Sequence, residues 1–93
     1  MGLIFEWNER KARANFRKHG ISFEEAASVF GDPNAVTIYD VSHSTDEERF
    51  VTIGVSSKGP LVVTCHTDRG DRIRLISARK ASAKERRQYE EGI

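Results

Sequence analysis

Arg72, Arg74 and Arg79 lie close together in the stretch RIRLISARKASAKERRQY, residues 72–89. A guanidinium stays charged at any physiological pH and can grip phosphate oxygens in pairs, so this stretch suits an anion. It also carries a carboxylate, Glu85, and a phenol, Tyr89, one helical turn apart and therefore on one face. Just upstream, His66 adds an imidazole, the side chain whose ordinary pKa fits proton transfer near neutral pH. RNA is a substrate on which such groups suffice, because its own 2′-hydroxyl can attack the adjacent phosphorus. The protein then has to position the backbone, stabilise the charge that develops on the phosphate, and manage two protons. DNA lacks the attacking hydroxyl and would be spared.

Each of these residues also has a plainer reading. Arg79 is either a phosphate ligand or half of a salt bridge, and Arg74 could equally pair with Asp71 or Glu48. His66 is either an acid or base on an exposed sheet face or an ordinary hydrogen-bonded strand histidine. His19 falls in the last turn of a helix, where a positive imidazolium is favoured by the macrodipole in any case. Tyr89 could donate a proton or stack on a base, or simply anchor its helix. Lys11, Asn15 and Lys18, at i, i+4 and i+7, form a polar stripe that can bind phosphate or be plain surface. His43 reads as loop surface. No pair of cysteines, no His-x-x-x-His and no carboxylate cluster has metal-ligand spacing, so neither metal nor cofactor is expected. The acidic run Asp46, Glu47, Glu48 reads as a solvated loop.

The elements that must hold these groups follow from pattern. In RIRLIS, Ile73, Leu75 and Ser77 alternate with Arg72, Arg74 and Ile76, which predicts a strand with a basic outer surface. Ser82 and Glu85 then form a capping box that starts a helix running to Tyr89. Earlier, LIFEW predicts a short strand, and Asn8 caps a helix over about 9–19 that Gly20 ends. Ser22 and Glu25 form a second capping box, followed by Phe23, Ala26, Ala27 and Phe30 at i, i+3, i+4 and i+7, the buried face of a second helix. AVTIYD, RFVTIGV and LVVTCHT are strands, the last two joined by the turn SSKG. In LVVTCHT, Leu61, Val63 and Cys65 are expected to face inward and Val62, Thr64 and His66 outward. The order is β-α-α-β-β-β-β-α. It predicts a two-layer α+β domain, a small antiparallel sheet with helices on one face, leaving His66, Arg72 and Arg74 on the other.

Composition sets the frame. Ninety-three residues at 38% hydrophobic and 31% charged make one small, independently folding domain, 1–93, rather than a disordered or membrane-embedded chain. The N-terminal MGLIFEW shows no basic leader, long apolar stretch or small-residue cleavage site, so a cytoplasmic location is expected. The lone cysteine, Cys65, excludes an internal disulfide and reads as a small buried hydrophobe. The net charge of +1 hides a segregation: thirteen of the fifteen Lys and Arg residues fall in 10–18 and 69–87. If these segments meet in space, they form a patch for polyanions; otherwise they are two solvated faces.

The segments FEWNERKARANFRKHGISFEEAASVFGDP, ERFVTIGVSSKG and RIRLISARKASAKERRQYEE resemble the BrnT family, toxins of BrnT/BrnA type II toxin–antitoxin systems. The resemblance covers nearly the whole chain, and KHGISFEEA with RLISARKA is its most specific part. It implies a RelE-like fold, metal-independent ribonuclease activity that arrests translation, and neutralisation in a hetero-oligomer by a BrnA antitoxin with a ribbon-helix-helix part. Operator DNA would be met only through that antitoxin. The resemblance carries Lys18, His19 and Gly20 onto the family's KHG, Arg49 onto its ERF, and Arg74, Ser77 and Arg79 onto its RIISAR, with Glu85 and Tyr89 in the final helix. Together with the residue reading, this makes Lys11, Asn15, Lys18, Arg49 and Arg72 the expected RNA contacts, and Arg74 and Arg79 the expected holders of the scissile phosphate. On this reading the base is expected to be His66 or Glu85 and the acid Tyr89 or His19. Asn8 stands where the family commonly has Asp, and Gly59-Pro60 where a basic residue is more usual. A noncatalytic nucleic-acid-binding or regulatory module acting with a DNA-binding partner is the alternative function, and the open sheet face could also be a docking surface for the antitoxin.

Overall fold

A computed structural model describes residues 2–43 and 47–92, so Asp46 of the acidic run lies outside the described residues. Helix α1 (Glu9–His19) begins where the Asn8 side chain accepts from the Lys11 N–H at 3.0 Å. It ends at Gly20, whose φ of 73° lets its N–H reach the Phe16 carbonyl. Helix α2 (Phe23–Ser28) is capped by Ser22, then tightens into a 3-10 turn over Val29–Gly31. The Glu25 carboxylate does not close the expected capping box. It is buried and instead accepts from the Ser56 hydroxyl at 2.6 Å, because a buried polar group needs a nearby partner more than an exposed helix end does. Helix α3 (Ala83–Glu91) has its capping box intact, Ser82 and Glu85 bonding reciprocally at 3.3 and 2.8 Å.

The five strands are β1 (Ile4–Glu6), β2 (Val36–Tyr39), β3 (Phe50–Val55), β4 (Leu61–Arg69) and β5 (Arg72–Lys80), in the spatial order β1-β5-β4-β3-β2. The α+β class and the element order are as the sequence predicts. Strands β2 to β5 are antiparallel, but β1 joins the edge of β5 in parallel, so the sheet is mixed. Two helices and the whole meander separate β1 from β5, and a connection that long permits parallel pairing.

On one face, Val62, Leu75 and Ala78 pack with Ile21, Phe23, Ala26 and Val29, with Phe5 and Ala12 at the margin. Gly54 belongs to this contact: a Cβ there would sit 2.8 Å from Val29 Cγ1, so only glycine lets the 3-10 turn approach β3. On the other face, Ile53, Leu61 and Val63 pack with Ala81 and Tyr89, which places α3 opposite α1 and α2. All helices were expected on one side. The strands instead have apolar residues on both faces, and only Ala81 and Ser82 separate β5 from α3, so the last helix folds back over the nearer one.

An irregularity in β5 sorts the remaining side chains. His66 pairs with Leu75 but Cys65 pairs with Ser77, so Ile76 is an extra residue. Such a bulge shifts the alternation by one. Ser77, expected beside Leu75, therefore shares the face of Arg72 and Arg74, and Arg79 follows it there. On β4 the expected sides are exchanged: Val62 and His66 lie under the α1/α2 layer, and Cys65 opens toward the opposite face.

Candidate active site

The face of the sheet not covered by α1 and α2 is closed at one end by α3. Beside that helix lies a cleft of about 250 Å³, floored by Val51, Val63, Cys65, Ile76 and Ser77 and walled by Asp40, His43, Arg49 and Arg79. Past Arg79 it continues into a hollow of about 270 Å³ that shares Asp40, His43 and Arg79 and adds Tyr39, Glu85 and Gln88. A larger hollow of about 340 Å³ lies on the other side of the molecule, between α1 and α2. Its walls include Arg13 and Arg17, but its floor is Trp7, Ala12, Phe16 and Phe23, and it holds no imidazole.

Arg79 reaches the cleft because the bulge turns it there. Both its terminal nitrogens donate to Glu85 at 2.7 Å, a fork-to-fork pair that joins β5 to α3. The guanidinium beside it, with the Ser82 backbone N–H adding to the effect, holds the Glu85 carboxyl down at about 2. Glu85 is thus an anion with both oxygens engaged and a poor proton acceptor at neutral pH; it does not suit the role of base. The same partner pushes Arg79 further up from an already high value. Half of the Arg79 side chain stays open to the cleft.

Opposite Arg79, a 3-10 turn over Val41–His43 follows β2. Spacing of three residues brings Asp40 and His43 onto one side of such a turn. His43 Nδ1 lies 2.9 Å from Asp40 Oδ2, and the Ser42 hydroxyl donates to Asp40 Oδ1 at 3.0 Å. Partial burial raises the Asp40 carboxyl, but hydrogen bonds from Ser42 and His43 and attraction to the imidazole outweigh it and leave the carboxyl below its usual value. With Nδ1 held to the carboxylate, the exposed ring keeps Nε2 for a substrate. On the cleft floor, burial pushes the Cys65 thiol up, with Arg49 pulling the other way, so it stays protonated.

Of the residues singled out from sequence, Arg79, Glu85 and Arg49 meet at this cleft. Arg72 and Arg74 stand further along the same face, with Glu6 at 3.7 and 3.4 Å. Six others do not belong to it. His66 is 2% exposed on the α1/α2 side, its ring between Phe30 and Phe50 and its nitrogens on Thr52 (2.7 Å) and Asp68 (3.0 Å). Burial lowers its pKa against the pull of Asp68, so the expected surface acid or base is a neutral core group. Tyr89 donates to Asp32 at 2.6 Å, and that bond pushes its hydroxyl up, away from proton donation. Asn15 is buried and bonded to the backbone of Ile21 and Ala78. His19 ends α1, in the layer behind the sheet; Lys11 and Lys18 are exposed on that same helix. The pair Asp40 and His43 was missed, although the Asp-x-x-His spacing in DVSH was its visible signal.

A small α+β domain whose open sheet face combines paired guanidiniums with a carboxylate-held imidazole has the equipment of a phosphodiester-handling protein. The comparisons with known proteins name the class. Residues 7–85 match the family model described as the ribonuclease toxin BrnT of type II toxin–antitoxin systems, and the chain belongs to that family. The fold is similar to a crystal structure of the Brucella abortus ribonuclease toxin BrnT, with a TM-score of 0.67 and 21% identity, covering 87% of this chain and 99% of that one. No curated protein sequence matches. Membership implies an RNA target and an antitoxin partner. No helix among the described residues is long and apolar enough to cross a membrane.

Proposed function

We propose that the chain is a metal-independent endoribonuclease toxin that works in the cytoplasm, cuts RNA by attack of its own 2′-hydroxyl, and is neutralised by a BrnA-type ribbon-helix-helix antitoxin. The observation that carries the catalytic reading is the His43–Asp40 pair, at 2.9 Å, opening on the same cleft as Arg49 and Arg79. Asp40 holds the imidazole in one orientation, and Nε2 takes the 2′-hydroxyl proton. Oxygen then bonds to phosphorus, the 5′-oxygen leaves, and the proton it needs comes from solvent or the imidazolium. Arg79 and Arg49 stabilise the charge on the phosphate, and Glu85 positions Arg79 without touching the substrate. The antitoxin, on this reading, reaches the operator and covers the toxin.

The test is cleavage of purified RNA in EDTA, with circular dichroism confirming that every variant folds. His43→Ala should lower kcat/KM by about 10²- to 10⁴-fold, and Arg79→Ala by about 10²- to 10³-fold. Added BrnA-type antitoxin should abolish cleavage by the wild type. Folded wild type that leaves RNA intact, yet binds it with a steep salt dependence, would overturn the proposal in favour of a noncatalytic binding module.

A further inference from the structure

Beyond the cleft, the open face continues to the β1 edge through a row of residues that the register sets side by side. Glu6 of β1 pairs with Arg74 of β5, which pairs with Thr67 of β4; Arg49, next to the Phe50–His66 pair, extends the row toward the cleft. Arg69 and Arg72, themselves a register pair, stand on the same face. Glu6 is a single carboxylate shared by three guanidiniums, from Arg69 at 3.7 Å, Arg72 at 3.7 Å and Arg74 at 3.4 Å. These contacts are long compared with the 2.7 Å pair of Arg79 and Glu85. Arg69 also meets Glu47 at 3.0 Å, and Arg72 meets Asp71 at 4.0 Å. Beside Arg74, the buried Thr67 hydroxyl has no hydrogen-bond partner among the described residues.

We infer that this cluster is a second phosphate subsite, in which Arg69, Arg72 and Arg74 take a backbone phosphate of the RNA bound in the cleft and Glu6 is the internal anion that the phosphate displaces. The inference rests on the ribonuclease reading for the strand that runs through the cleft, not for the subsite's own chemistry. Glu47 engages one terminal nitrogen of Arg69 and Asp71 stands 4.0 Å from Arg72, but the two Glu6 oxygens are spread at long range over all three guanidiniums, which leaves donors that a phosphate with several acceptor oxygens satisfies better. From Arg74 to Arg79 along β5 is about 15 Å at the ordinary rise of a strand. That separation exceeds one nucleotide step, so the subsite holds a phosphate at a distance from the one being cut, and a dinucleotide cannot fill both.

The test uses 2′-O-methyl RNA, which has no free 2′-hydroxyl to attack, as a dinucleotide and as a 12-mer, with binding read by fluorescence anisotropy over a salt series. Arg69→Ala with Arg72→Ala should weaken the 12-mer about tenfold and flatten its salt slope by about 0.7, the value for one lost phosphate contact on a single strand. The dinucleotide should be unaffected. Glu6→Gln, which keeps the shape and removes the competing charge, should tighten the 12-mer severalfold. Equal effects on both lengths, or no tightening by a folded Glu6→Gln protein, would overturn the subsite. So would a change confined to antitoxin affinity, which would make the cluster a protein contact. These binding results do not depend on cleavage, so wild type that fails to cut RNA would sink the catalytic proposal and leave the subsite standing or falling on its own data.

Discussion

At Ala78, strand β5 has run past the end of β1, whose pairing stops at Glu6 and Arg74. The outward N–H and C=O of Ala78 therefore have no strand beside them. Asn15 fills the place: its Oδ1 accepts from the Ala78 N–H at 3.0 Å, and its Nδ2 donates to the Ala78 carbonyl at 2.9 Å and to Ile21 at 3.0 Å. One side-chain amide acts as a one-residue strand and ties α1 to the sheet. Asn15→Ala leaves buried backbone groups unmatched at about 1–3 kcal/mol each, so we expect a loss of about 3 kcal/mol in chemical denaturation. Unchanged stability would refute this role. The polar stripe Lys11, Asn15, Lys18 was legible as a stripe, but nothing in spacing shows that its middle member meets an orphaned strand edge. His66 is the same kind of case. Its alternation with Cys65 was readable, and which of the two faces the helices was not, because LVVTCHT is apolar on both sides.

The elements themselves were legible wherever a cap announced them: Asn8 and Gly20 around α1, Ser22 before α2, Ser82 with Glu85 before α3. What sequence did not reveal is the extra residue at Ile76, since a bulge is fixed by how β4 and β5 settle against each other. Without it, Arg74 and Arg79 would fall on opposite faces and the cleft would lose Arg79. Helix α3 depends on two polar ties, the Arg79–Glu85 fork and the Tyr89 hydroxyl on Asp32, itself held by the Val55 and Asn34 N–H groups. Hydrogen bonding to Arg79 depresses Glu85 in the folded state from 4.5 to about 2. A depressed carboxyl contributes stability above its unfolded pKa and loses it as pH falls through the folded one. The melting temperature of wild type should therefore exceed that of Glu85→Gln by a few degrees near neutral pH. The gap should close between about 4.5 and about 2. A gap that persists at the acid end would mean that the fork contributes through shape, not charge.

For the whole molecule, the question left open by charge segregation was whether the basic segments 10–18 and 69–87 merge. The sheet stands between much of them. Arg13 and Arg17 line the hollow between α1 and α2, whereas Arg72, Arg74 and Arg79 lie on the opposite face. An RNA strand held in the cleft cannot touch the first pair, and at ordinary ionic strength their field is screened over roughly 8 Å, less than the thickness of a sheet with a helix layer on it. Reversing both charges, Arg13→Glu with Arg17→Glu, changes the net charge by four yet should leave kcat/KM for RNA within about threefold at physiological salt. The single change Arg49→Ala, which alters net charge by one, should lower it by at least tenfold, because Arg49 walls the cleft. Parallel rate measurements on the two variants decide the matter. If the reversed pair is the more damaged enzyme, the protein attracts RNA through its overall field and the cleft is not where the strand is held. If Arg49→Ala is the more damaged, position on the open face governs the reaction, and the basic surface of α1 is free for a partner other than RNA.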